Sequence, residues 1–338
     1  MLTASRIDGK PASGGELGRL VLMAVQKSSS IPAPPGAPNS IALAARIALV
    51  ATLVLSPQLL GGVFPWSIAI ICALVAATGL LTRFGIVIPS VHRRSTRWLD
   101  WMVVGALGWT GLQLVPLPVG VVSRLVPETV AAWHAVDGLF DRPLRAWAPL
   151  SLDPGATLLE LAKGSAIVAM YLTARVMAAS GRRRWVLAGV GASGAVMALV
   201  AFGHHASGAT EVFGVYDPVY ASSRLLAPLM NENHLGGFMA LVTPILVGLA
   251  LDAQRNESRA AWGVLAATCA VAAVLTFSRG GILALAIGVG VFLLFHAVRR
   301  RQNGLPIFSS TAKPLVAIGL LATLTVVAVV AGSDLQRE

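Results

Sequence analysis

Two short polar clusters break an otherwise apolar chain. Asn231-Glu232-Asn233-His234 brings a carboxylate, an imidazole and two amides to the mouth of a long apolar run. Ser278-Arg279-Gly280-Gly281 separates two later apolar runs. Polar groups at the mouth of a membrane span are costly unless they face water, protein or a ligand. The Arg279 guanidinium matches a phosphate bidentately, and Gly280 and Gly281 would let a headgroup come close. His234 can exchange a proton near neutral pH, and Glu232 is a second candidate base. Asn231 and Asn233 can grip sugar hydroxyls or cap a helix. Ser278 and Arg224 complete the set of candidate substrate contacts. Each has a plainer reading. Arg279 can snorkel to the interface, Asn231 or Asn233 can be a cap only, and Glu232 can be a solvated carboxylate.

Other polar pairs point to less. His204-His205 are adjacent, do not share a helix face and lack a spaced third ligand, which argues against zinc. Glu160 and Lys163 lie three residues apart on one helix face and are expected to neutralise each other. No paired acidic motif occurs in the loops on that side, so neither a magnesium-diphosphate site nor any other metal or cofactor is expected.

The elements that position these residues follow from composition. The chain of 338 residues is 56% hydrophobic and 12% charged, with a mean hydropathy of +0.75. A soluble protein carries about 25% charged residues, so the expected class is all-α, a polytopic transmembrane bundle. The net charge of +11 does not imply nucleic acid, because the basic residues cluster in short loops. Residues 1–40, rich in Ser, Gly and Pro, read as a disordered cytoplasmic tail, with Met1 or Met23 as the start.

Nine apolar runs approach the roughly 20 residues a span needs: 41–56, 58–81, 98–115, 157–178, 185–203, 235–251, 260–277, 280–298 and 314–332. Arginine clusters mark every second loop: 82–97, 175–184, 252–259 and 299–313. The intervening loops are poor in Lys and Arg, apart from the long loop 116–156. This alternation predicts the N-terminus inside, the C-terminus outside, and both polar clusters on the outer face. Loop 116–156 is expected to form short interfacial helices, with Asp153-Pro154 opening the next span, and loop 204–234 to be the second outward polar loop. Cys72 and Cys269 lie inside apolar runs and read as small buried residues without a disulfide.

Three segments together resemble the O-antigen ligase / O-antigen polymerase family of bacterial membrane glycosyltransferases. They are SLDPGAT at 151–157, LMNENHLGGFMALVTPIL at 229–246 and LTFSRGGILAL at 275–285. The resemblance covers roughly residues 150–338 and rests on the order, spacing and placement of these segments. It implies transfer of a glycan from undecaprenyl diphosphate to a sugar hydroxyl at the periplasmic face of the bacterial inner membrane. The acceptor would be a lipid A core sugar or another carrier-linked glycan. On this resemblance the family's arginine maps onto Arg279, and its N-x-N-H segment onto Asn231, Asn233 and His234. The family continues into a large outward loop with a further His and Arg. This chain ends at Glu338, where that loop would begin. The expectation is a truncated product, or one whose activity is lost or needs another chain. Two other readings stay open: a polymerase of O-antigen or exopolysaccharide, and a non-enzymatic membrane component or lipid-linked-glycan transporter.

Overall fold

The structure is a computed structural model that describes residues 39–86, 97–218 and 225–304. The ninth run, 314–332, and Arg224 lie outside these residues, as does the expected tail except Asn39 and Ser40, which open the first helix. The described residues form an all-α bundle. In chain order the elements are α1 (Asn39–Gln58), α2 (Pro65–Gly85), α3 (Arg97–Leu112), α4 (Val119–Leu125) and α5 (Pro127–Leu139). Then come α6 (Pro154–Met177), α7 (Arg183–Ser207), α8 (Glu232–Asp252), α9 (Asn256–Leu275) and α10 (Arg279–Gln302).

Local chemistry sets the helix ends. Pro65, Pro127 and Pro154 occupy first-turn positions, where a missing N–H costs nothing. Asp153 caps α6 by accepting from Ala156 N at 2.9 Å, and the hydroxyls of Ser151 and Thr157 meet at 2.7 Å. The Asp of SLDPGAT is therefore a helix cap. Gly208, at φ +65°, closes α7 in the left-handed conformation that glycine adopts without strain.

Six stretches are long and apolar enough to cross a membrane. One of them, Pro154–Ser207, spans 54 residues and is folded in two. A π-turn at Ala178–Arg182, with Gly181 at φ +78°, separates α6 from α7. Seven of the expected runs therefore correspond to apolar helices. The run 98–115 falls on α3, whose 16 residues, about 24 Å at 1.5 Å per residue, are not among these six stretches. Gln113 to Val115 leave the helix through turns at Leu114 and Val115.

Contacts along each pair give the helix directions. Thr52 meets Thr78 and Ile41 meets Gly85, so α1 and α2 are antiparallel. Cys72 meets Ala162 and Gly79 meets Thr173, so α2 and α6 are parallel. Asp100 pairs with Arg175 and Leu107 packs on Gly164, so α3 opposes α6. Arg46 lies by Trp185 and Leu53 by Ser193, so α7 runs with α1 and against α6. Arg184 faces Asp252 and Gly194 faces Val242, so α8 opposes α7. The short link 253–255 returns α9 against α8, and α10 runs with α8 from Gly236–Gly281 to Gly248–Phe292. The eight long helices thus alternate in direction. Residues 59–64, 113–153, 208–218, 225–231 and 276–278 gather at one end. Arg182, Arg255 and Arg299–Arg301 gather at the other.

Small residues carry the closest helix contacts. A Cβ on Gly191 would come within 2.7 Å of Leu246, one on Gly194 within 2.5 Å of Val242, and one on Gly189 within 2.8 Å of Leu53. So α7 is wedged between α1 and α8 with almost no side chain at either seam. The main core lies there, with Met197, Leu235, Met239, Val242 and Leu246 at or near zero exposure. Hydroxyls satisfy one another or backbone carbonyls across the seams: Thr52 with Thr78 at 2.8 Å, and Ser193 donating to Leu53 O at 2.7 Å.

The long loop between α3 and α6 is a closed unit, not an open strap. Leu117 pairs with Ala148 and Pro118 with Trp147 in a two-residue antiparallel ladder, β1 (Leu117–Pro118) with β2 (Trp147–Ala148). This ladder ties off α4 and α5, the short helices expected there. Inside, Arg145 forks onto the buried Asp137, with Nε donating at 2.7 Å, and its guanidinium lies 4.2 Å from the Trp133 ring centre. The Arg145 hydrogen bond holds the Asp137 carboxyl below its ordinary pKa. A carboxylate with a lowered folded pKa adds stability above its ordinary pKa, about 3.9. That contribution is lost as pH falls through the lowered value. Protease protection of residues 117–148 should therefore hold from pH 7 to about 5 and fail only in stronger acid. Asp137→Asn should expose the segment already at pH 7. Equal digestion of wild type and variant at neutral pH would show that the ion pair does not hold this unit together.

Candidate functional site

The two polar clusters are one structure. Asn231, in extended conformation, is the N-cap of α8, and its Oδ1 accepts from Asn233 N at 2.9 Å and His234 N at 3.4 Å. Ser278 is the N-cap of α10, and its Oγ accepts from Gly281 N at 3.1 Å. The same Ser278 hydroxyl donates to Asn233 Oδ1 at 2.8 Å. One hydrogen bond thus joins the starts of two parallel helices. Beneath it the backbones touch: a Cβ on Gly281 would sit 2.9 Å from Gly236 Cα, and one on Gly236 would sit 2.9 Å from Thr276 Oγ1. Thr276 is fully buried and donates to Ala273 O at 2.6 Å, while accepting from Ser278 N at 3.2 Å. Phe277, between them, takes φ +54°. A bulky residue held in that region marks an over-determined turn.

Each helix start carries roughly half a positive elementary charge, and here two such starts are side by side. Arg279 is the first residue of α10 and is exposed. A cation there opposes its own helix dipole by about 0.3–1 kcal/mol. Glu232, half-buried at the start of α8, has the favourable sign. His234 and Asn233 are exposed, and a Cβ on Gly280 would meet open space. Backbone N–H groups, two dipoles and a guanidinium around an open surface form an anion-binding arrangement.

The candidate residues fall into distinct roles. Asn231 is the helix cap, Asn233 and Ser278 form the bond between helices, and Gly281 is the point of backbone contact. Arg279, Gly280, His234 and Glu232 lie at the mouth. Sequence reasoning missed Gly236 and Thr276. A signal existed: Asn233-x-x-Gly236 and Ser278-x-x-Gly281 repeat one polar-to-glycine spacing at the start of two apolar runs.

The neighbouring loop is held by His204. Its Nδ1 lies 3.1 Å from Leu226 O and its Nε2 3.2 Å from Phe213 N. A carbonyl only accepts and a backbone N–H only donates, so Nδ1 donates to Leu226 O and Nε2 accepts from Phe213 N. With both nitrogens engaged, His204 is a loop tether, and Phe213 at φ +56° sits against its ring. Among the described residues no group of three or more His, Cys, Asp and Glu is placed to hold a metal ion.

A mainly apolar cavity of about 390 Å³ opens between α1, α2, α6 and α7, with Gly61 and Gly62 at one end and Phe238 of α8 on its wall. Phe238 lies one turn below His234 on the same face of α8. Lys163 reaches the lining, ion-paired to Glu160 at 2.6 Å. Cys72 also lines it and is half-buried, less enclosed than expected, whereas Cys269 is buried in the core. The chain matches no protein-family model, no curated protein and no solved structure.

The two glycines at 280 and 281 make opposite predictions. Gly281→Ala forces α8 and α10 apart, and overpacking of this kind costs about 1–3 kcal/mol. Gly280→Ala enters open space and gains helix propensity, up to about 1 kcal/mol. Thermal unfolding of the purified protein in detergent should show a lowered midpoint for Gly281→Ala and an unchanged or raised one for Gly280→Ala. Equal midpoints would refute the backbone contact.

Proposed function

We propose that this chain is an O-antigen ligase-like membrane protein that binds a glycan carried on undecaprenyl diphosphate and supports its transfer to a sugar hydroxyl. The observation that carries this reading is the joined pair of helix starts with Arg279 at its mouth. A diphosphate is the anion that suits it, because the guanidinium fork and the N–H groups can share its oxygens. In the transfer, the acceptor oxygen forms a bond to the anomeric carbon as the bond to the diphosphate breaks. The leaving diphosphate keeps the electron pair. Stabilising that charge is commonly the largest catalytic term. His234 or Glu232 takes the proton from the acceptor hydroxyl. The apolar cavity beside α8 gives a prenyl chain room next to the anion site. The acceptor is a lipid A core sugar in the ligase reading and a second carrier-linked glycan in the polymerase reading.

The orientation proposed with it puts nine spans in the bacterial inner membrane, the N-terminus in the cytoplasm and the joined helix starts at the periplasmic face. The support is the crowding of arginines at the opposite end of the bundle. Alkaline phosphatase fused at Ala209 should be active, and fused at Gln302 inactive. The reverse pattern would overturn the orientation and, with it, access to a periplasmic acceptor.

If Arg279 grips a diphosphate, the planar fork matters as well as the charge. Arg279→Lys should then weaken binding of undecaprenyl-diphosphate glycan nearly as much as Arg279→Ala. The expected loss is about 1.5–3 kcal/mol, the scale of a hydrogen bond to a charged group. Expression and insertion should stay normal. Binding is the readout because it isolates this contact from turnover. Wild-type affinity in the Lys variant would remove Arg279 from the site.

A further inference from the structure

At the opposite end of the bundle a second basic cluster carries a different message. Arg46 is the eighth residue of α1, within an apolar run, flanked by the exposed Leu43 and Ile47. Its Nε is buried and has no hydrogen-bond partner. Its guanidinium sits 5.8 Å from the Trp185 ring centre. Arg182, three residues before Trp185, adjoins the same spot and spends one N–H on Ser180 O at 3.2 Å. Burial and the Arg46 charge both lower the Arg182 pKa, so the two cations do repel. Arg182 is also the N-cap residue of α7 and provides no side-chain cap. No acidic residue occurs on α1, the π-turn or α7. The ion pairs of Arg145, Lys163, Arg175 and Arg184 leave out both Arg46 and Arg182.

A buried N–H donor without an acceptor is costly, and bringing a second cation close adds to the cost. One anion placed between them resolves both. We propose that Arg46, Arg182 and Trp185 form a binding site for the phosphate of a net-anionic membrane lipid. The lipid source follows from position: Leu43 and Ile47 face outward beside Arg46, so the anion arrives attached to hydrocarbon. A net-anionic head is preferred over a zwitterionic one because the elements that carry the site, α1, the π-turn and α7, bring two cations and no carboxylate. Basic pockets between helices at a cytoplasmic membrane surface act in this way. The site is at the far end from Arg279, so it is independent of the transferase reading.

The test uses the full chain purified in detergent, with thermal unfolding followed during titration. The probes are phosphatidylglycerol, phosphatidylcholine with the same acyl chains, and inorganic phosphate. Phosphatidylglycerol should raise the midpoint at a concentration at least about tenfold lower than phosphatidylcholine does, the scale of one charge-assisted hydrogen bond. Arg46→Gln should abolish that preference, and Arg299→Gln, at the same end but exposed, should keep it. If Arg46→Gln does not fold, Arg182→Gln should show the same loss. Equal responses to the two lipids, or a preference that survives both Arg46→Gln and Arg182→Gln, would overturn the site. Saturation by inorganic phosphate alone would overturn the lipid assignment in favour of a soluble anion.

Discussion

The contact between Gly236 and Gly281 governs the layout of the candidate site. Two parallel helices normally stay 8–10 Å apart because side chains keep them there. Here both facing positions lack a Cβ, and the backbones meet. That approach places the Ser278 hydroxyl within reach of Asn233 and the two caps in one cluster. A side chain at either glycine would separate the helix starts and divide one anion-binding arrangement into two weak ones. The chemistry at the mouth therefore depends on residues with no chemistry of their own.

The same logic runs through the bundle. In lipid no hydrophobic effect draws helices together, so packing and internal hydrogen bonding must do it. Helix α7 shows the result, with Gly189 turned to α1 and Gly191 and Gly194 turned to α8. Pro244 adds an exception within α8. It removes an N–H and so frees the carbonyl of Ala240. Helix α10 passes that carbonyl at Gly288, where a Cβ would lie 3.8 Å away. The helix with the broken ladder is also the one most enclosed by neighbours, half buried over its apolar window. Protein contacts cover the disrupted backbone there in place of lipid.

Much of this was legible in the sequence, and the gaps have physical reasons. Continuous apolar runs gave the helices, because a span must be apolar all round and so differs from a surface helix. The arginines of loop 175–184 marked the reversal between α6 and α7, while the turn itself, with Gly181 in the left-handed region, shows only in the geometry. The run 98–115 outlasts its helix, because its apolar tail, Leu114 to Val115, continues into turns that only geometry reveals. In the site, spacing alone could not tell a cap from a ligand. Asn231, Asn233 and Ser278 look like three substrate contacts in sequence, yet their described hydrogen bonds are structural. Closure of loop 116–156 was also invisible, since a two-residue ladder leaves no periodic trace.

Charge placement shows why Arg279 differs from the other arginines at its end of the bundle. Arg145 is clamped to Asp137, Arg142 lies 5.2 Å from the Phe140 ring centre, and Arg124 is in the last turn of α4. Each of these has a local structural reason: an ion pair, a cation–π contact, or the negative end of a helix dipole. Arg279 stands at the positive end of its helix, next to the positive end of a second one. Folding alone would favour an acid there, as at Glu232 on the neighbouring helix. Arg279 therefore sits where its helix alone would favour an acid, and the proposed diphosphate contact rests on that placement.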